Sequence, residues 1–170
     1  AVGSGTTAFV DVGTSNVSFA TGFSGSGGFS KLGSGVLTLT GASSYLGVGS
    51  VLAGVLNVQN ATALGGTAAQ TVVASNTTLQ LQGGLNFGAE PLTISGNGFA
   101  GQSGGLLNVS GSNTLSGLVT LGAASIVASD AGTLTLGGGV TGAFGLVAAQ
   151  EVVRGIAAGE TVKRGGVGNE

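Results

Sequence analysis

The 170-residue sequence contains no cysteine, methionine, tryptophan or histidine. Without cysteine there is neither a disulfide framework nor a thiolate metal site. With histidine also missing, thiol and imidazole catalysis are excluded, and a serine nucleophile is left with lysine as its base. Charge is scarce too: 6% of residues are charged, against about 25% in an ordinary soluble domain. Four basic residues, Lys31, Arg154, Lys163 and Arg164, neutralise too few phosphates for nucleic acid to be an expected partner. No run of about 18 apolar residues is present, so no membrane-spanning helix is expected. Residues 1–20 lack the basic start and apolar run of a secretory leader, so the sequence is expected to be a processed chain or an internal segment.

What fills the chain is small and neutral. Glycine contributes 37 residues, threonine 18, serine 18 and asparagine 9, with Pro91 the single proline. Disordered chains combine low hydrophobicity with high net charge. Here 42% of residues are hydrophobic and the net charge is -2, so a buried interior is expected. The glycines do not fall at every third position, which excludes a collagen helix. The length suffices for one domain with a sizeable core.

Short runs of alternating apolar and polar residues recur: Val36–Thr40, Val55–Gln59, Leu79–Gln82, Leu92–Ser95, Leu106–Ser110, Leu118–Leu121 and Leu134–Leu136. Period-two alternation predicts strands with Leu, Val or Ile on one face and Thr, Gln, Asn or Ser on the other. Glycine interrupts most windows long enough for a helix, at about 1 kcal/mol per interior position. Residues 146–156 also carry apolar residues at helical spacing, and strands are the preferred reading there. From Leu37 through Leu56, Leu79, Leu92, Leu107 and Val119 to Leu134, the interval between runs varies from 12 to 23 residues.

The runs resemble one another. Gly35-Val-Leu-Thr-Leu39 is echoed by Gly132-Thr-Leu-Thr-Leu136, and Gly54-Val-Leu-Asn-Val58 by Gly105-Leu-Leu-Asn-Val109. Such self-similarity predicts a solenoid, in which each unit buries its apolar face on the next. A β-sandwich is the competing architecture. The aromatics, Phe9, Phe19, Phe23, Phe29, Phe87, Phe99, Phe144 and Tyr45, do not supply its large central anchors, and the interior is expected to be mostly Leu, Val, Ile and Ala. Glycine supplies the corners, and Asn60, Asn76, Asn97 and Asn113 end runs either as left-handed residues or as plain loop residues. Coils of about 20 residues stacked at about 4.8 Å give roughly seven to nine coils and a rod on the order of 35–40 Å long, with two open ends. Residues 1–150 are expected to form this repeat region. Residues 151–170 hold six of the ten charged residues (Glu151, Arg154, Glu160, Lys163, Arg164 and Glu170) and are expected to be a cap, a linker or the start of a further repeat.

Residues 29–59 resemble the autotransporter-associated β-strand repeat, which reads roughly Lys-x-Gly-x-Gly-x-Leu-x-Leu-x-Gly-x-Asn-x-Tyr-x-Gly and then Gly-x-Leu-x-Val. Lys31, Gly33, Gly35, Leu37, Leu39, Gly41, Tyr45 and Gly47 match, and Ser43 stands where that repeat has asparagine. Residues 71–142 are similar to the spacer repeats that follow the motif in very large surface proteins. The resemblance implies a right-handed parallel β-helix in an exported passenger region, a stalk or adhesin at the bacterial cell surface.

The expectation is therefore an all-β structural or adhesive module and not an enzyme, with no catalytic, cofactor-binding or metal residue. Its expected partners are neighbouring repeats or other copies of itself, surface glycans and cell-surface proteins. A self-assembling filament subunit joined through open ends is an alternative. A polysaccharide-acting β-helix is another, and it requires clustered carboxylates. Asp11, Glu90 and Asp130 are expected to be isolated, solvent-facing charges, although stacking of coils offers Glu90 and Asp130 as a pair. Lys31, flanked by Ser30 and Ser34, is read as a coil-start position rather than a base. No Gly-Gly-x-Gly-x-Asp calcium repeat occurs. A Thr-x-Thr ladder of the kind that matches ice appears at Thr38/Thr40 and Thr133/Thr135 but is broken by Asn, Gln and Ser elsewhere.

Overall fold

The computed structural model describes residues 1–149 and 162–164. Among them the regular elements are all β-strands, and the strands of the main sheet pair in parallel. The first coil comprises β1 (Thr7–Asp11), β2 (Val17–Phe19) and β3 (Ser24–Gly25). The second comprises β4 (Gly28–Leu32), β5 (Val36–Leu39) and β6 (Ser44–Tyr45). Next come β7 (Gly49–Val51) and β8 (Val55–Val58), and then β9 (Thr71–Val73) and β10 (Thr78–Gln82). The fifth coil holds β11 (Leu92–Gly96), β12 (Leu106–Ser110) and β13 (Ser112–Leu115). In the sixth, β14 (Val119–Ser129) covers two faces without a break and β15 (Thr133–Leu136) forms the third. β16 (Val140–Thr141), β17 (Leu146–Ala149) and β18 (Val162–Arg164) complete the described chain.

The chain is thus a parallel β-solenoid. Seven strands, β1, β4, β7, β9, β11, the start of β14, and β16, stack on the first face. At about 4.8 Å per coil this gives a stack roughly 34 Å long, at the short end of the expected range. The second face stacks β2, β5, β8, β10, β12, the end of β14, β17 and β18. Among the described residues, the ladders of the third face are β3 with β6 and β13 with β15. Beyond β17, the expected charged cap lies outside the described residues apart from β18. The 146–156 segment is a strand as far as Ala149.

This arrangement explains the uneven spacing of the runs. Leu37 pairs with Leu56 and Leu56 with Leu79, so those intervals are whole coils. Leu92 and Val119 lie on the first face, Leu107 on the second and Leu134 on the third, so the shorter intervals are steps from face to face, each less than one full turn. Coil length is nearly fixed at the start: Thr7 pairs with Gly28, twenty-one residues on, and Val17 with Leu37, twenty residues on. It lengthens to twenty-three residues where Leu56 pairs with Leu79, and most where Leu79 pairs with Leu106, twenty-seven residues on. The surplus sits in the loop 97–105 between β11 and β12. That loop lies along the outside of the second face: Gln80 Nε2 donates to Gln102 Oε1 at 2.6 Å, and Ser103 Oγ donates to Asp130 Oδ1 at 2.9 Å.

The core follows the alternation. One interior column runs Leu37, Leu56, Leu79, Leu106 and Val127, all buried. Each such aliphatic side chain contributes about 1.5–3 kcal/mol on burial. The interior is mostly aliphatic, as expected, with an aromatic exception. Phe19, Phe23, Phe29 and Tyr45 form a continuous aromatic stack with ring centroids 5.9, 4.7 and 6.0 Å apart. Four residues spread over two coils converge because Phe23 and Tyr45 approach from the third side while Phe19 and Phe29 approach from the other two. Of the four asparagines that end runs, Asn76 alone takes a left-handed backbone, with φ 59°.

Candidate functional site

Three kinds of polar side chain interrupt the apolar interior, each where the strand alternation points a polar residue inward. The first is Lys31. It follows Phe29 by two positions on β4, so it shares the inward face, and its register column is Val10, Lys31, Val51, Val73, Ile94 and Leu121. The stem fills a column of aliphatic residues, and the ammonium reaches the corner after β4. There Nζ donates to the carbonyls of Gly33 and Ala53 at 2.8 Å and of Leu32 at 3.2 Å. Because Ala53 belongs to the next coil, the amine ties two successive corners together. Burial lowers its pKa to about 8, against the opposing pull of Asp11. With its donors spent on carbonyls, Lys31 does not serve Ser30 or Ser34 as a base. Gly33, whose carbonyl it caps, has φ 79°, a conformation available to glycine at little cost.

The second is Glu90. The expectation of a solvent-facing charge fails here: the residue is 3% exposed. It precedes Leu92 and Ile94 by two and four positions, so the alternation of β11, carried back through Pro91, turns it inward. Thr71 Oγ1 donates to Glu90 Oε1 at 2.8 Å, while Oε2 is buried without a hydrogen-bond partner. Burial, partly offset by the Thr71 hydroxyl, raises the carboxyl pKa to about 7. Tyr45 completes the cluster. A Cβ at Gly49 would stand 2.6 Å from Tyr45 Oη and 3.1 Å from Thr71 Oγ1, so glycine at 49 leaves the space the phenol occupies. Burial, and then the charge of Glu90, push the Tyr45 hydroxyl well above the usual phenol range.

The third is an amide network at the corner between β12 and β13. Asn108 Nδ2 donates to Ser129 Oγ at 2.8 Å, to Ala131 O at 2.9 Å and to Gly111 O at 3.1 Å. Asn113 Nδ2 donates to Asn108 Oδ1 and, at 2.9 Å, to Ser110 O; Asn113 Oδ1 accepts from Leu85 N at 2.7 Å. Both asparagines are fully buried. The fourth, fifth and sixth coils are stitched together through this one corner.

Asp11 and Asp130 are exposed, as expected. Asp130 receives Ser103, and Asp11 Oδ1 accepts from the Gly13 backbone at 2.8 Å. Stacking does not bring Glu90 and Asp130 together: one carboxyl faces the interior, the other the surface. Among the described residues no three of His, Cys, Asp and Glu cluster as a metal site would require. On the outside of the second face, an amide ladder runs along the axis. Asn57 Nδ2 donates to Gln80 Oε1 at 2.8 Å, Gln59 Nε2 to Asn57 Oδ1 at 2.9 Å and Gln80 onward to Gln102. On the third face Ser112 and Thr114 lie in register with Thr133 and Thr135. These side chains run along the stacking axis. They reinforce the stacking that the backbone begins.

No protein-family model matches the sequence, and no curated protein and no solved structure matches it.

Proposed function

We propose that this chain is a structural or adhesive segment of an exported bacterial surface protein, a passenger-type solenoid of the autotransporter-associated β-strand repeat kind. Its work is to hold distance and present surface, not to carry out a reaction. The observation that carries this reading is the outer amide ladder, Asn57–Gln80–Gln102, on an unbroken parallel stack. Asn57, Gln59, Gln80 and Gln82 on that face bond to one another, Asn57 and Gln59 reaching the next coil along the axis, a use suited to stiffness. The local phrase around Lys31 and Tyr45 gives second support, because its polar and aromatic positions are the ones the core uses.

Two measurements test it. Placed between a secretion signal and an outer-membrane barrel, the segment is expected at the cell surface, open to added protease only where it unfolds. Retention inside the cell would overturn the exported role. In solution the purified chain is expected to be a monomeric rod by small-angle scattering. Filaments by electron microscopy would replace the spacer with a polymerising subunit. Hydrolysis of a polysaccharide, lost in Glu90→Gln or Asp130→Asn, would replace it with an enzyme.

A further inference from the structure

The interior carboxyl of Glu90 has no role in the stacking just described. It lies in the core with one oxygen on the Thr71 hydroxyl and the other without any partner. It stands at the entry to β11 in the fifth coil, and the groups that meet it are Thr71 from β9 in the fourth coil and Tyr45 from β6 in the second. Tyr45 is the titratable group facing it, and no described cation does so. Lys31, the one lysine whose side chain is described, spends its ammonium on backbone carbonyls. An ionised carboxylate placed there loses its hydration and gains a single neutral hydrogen bond. That exchange is strongly unfavourable in an apolar interior.

We propose that Tyr45, Thr71 and Glu90 form an interior pH-sensitive latch, closed while Glu90 is protonated, that holds the second to fifth coils together in acid and loosens them as the pH rises. The sign follows from linkage. A carboxyl that is easier to protonate in the folded chain than in the unfolded one stabilises the fold fully below the ordinary glutamate range. The stabilisation then fades up to its own titration near pH 7. Lys31 works in a separate window: its pKa is lowered, so its contribution grows only as the pH rises above about 8. Among the described residues, Glu90 is the group with a shifted titration between pH 5 and 7.

The test is reversible urea unfolding of the whole chain at pH 5, 6, 7 and 8, for the native sequence and for Glu90→Gln. The native unfolding constant is expected to rise at least tenfold between pH 5 and 7.5, about 1.4 kcal/mol, and the Gln variant is expected to be flat over that span. Equal slopes for the two proteins would overturn the latch. Should Glu90→Gln not fold, the carboxyl carbon of Glu90 can be followed by NMR in the native chain. A midpoint near 7 supports the latch, and one in the ordinary range near 4.5 overturns it.

Discussion

The two halves of the solenoid fill the same cross-section by different means. In the first two coils, the gaps between aliphatic columns are closed by rings: Phe19, Phe23, Phe29 and Tyr45 touch in sequence. In the fourth to sixth coils, the corresponding corner is closed by amides, with Asn108 and Asn113 bonded to each other, to Ser129 and the Ala131 carbonyl of the next coil, and to the Leu85 N–H of the preceding one. Ring packing is non-directional and tolerates small shifts. A buried amide network is directional, and it stabilises only when every member is satisfied. The first half keeps a coil length of nineteen to twenty-one residues. The second absorbs an irregular coil because its hydrogen bonds fix the register regardless of what loops out between β11 and β12.

This contrast can be broken from either side. The largest effect is expected from Phe29→Ala, which removes the ring at the centre of the stack. Large-to-small aromatic substitutions in a core cost about 3–5 kcal/mol, read as a fall in urea midpoint. Next is Asn113→Ala, which strands Leu85 N and unpairs Asn108. Leaving buried groups unsatisfied costs about 1–3 kcal/mol. If Asn113→Ala proves harmless while Phe29→Ala is severe, the second half is also held by its aliphatic columns alone. Lys31→Met keeps the stem and deletes the amine, and is expected to cost a similar 1–3 kcal/mol, roughly, through its orphaned carbonyls. The smallest effect is expected at Gln80→Ala, on the outer ladder, at no more than about 1 kcal/mol because its amides are partly open to water. A larger loss there would mean that the loop 97–105 depends on Gln102 for its place.

Much of this was legible in the sequence, and the exceptions share one cause. The run Leu106–Ser110 is β12 residue for residue, and Val36–Thr40 overshoots β5 by one position. Alternation reports which side of a strand a residue occupies, and that signal survives without tertiary information. It also bears on Glu90, Lys31 and Asn108, each an even number of positions from a buried apolar neighbour. Charge and amide chemistry, taken residue by residue, pointed outward and hid that parity. Which run stacks on which was not legible. A step between faces and a step between coils are both gaps between similar phrases, and only pairing distinguishes them. The aromatic stack was hidden for the same reason, since Phe19, Phe23, Phe29 and Tyr45 become neighbours only once the chain has wound.

The parallel register has a mechanical consequence. Hydrogen bonds between coils point along the axis, so a pull on the two ends loads them in tension one rung at a time, as thread leaves a spool. Each coil of about 21 residues would release on the order of 70 Å of slack when it peels away. The loop 97–105 bridges Gln80 on the fourth coil to Asp130 on the sixth. Unspooling should therefore pause there, giving a higher force over those coils than over the even ones that precede them.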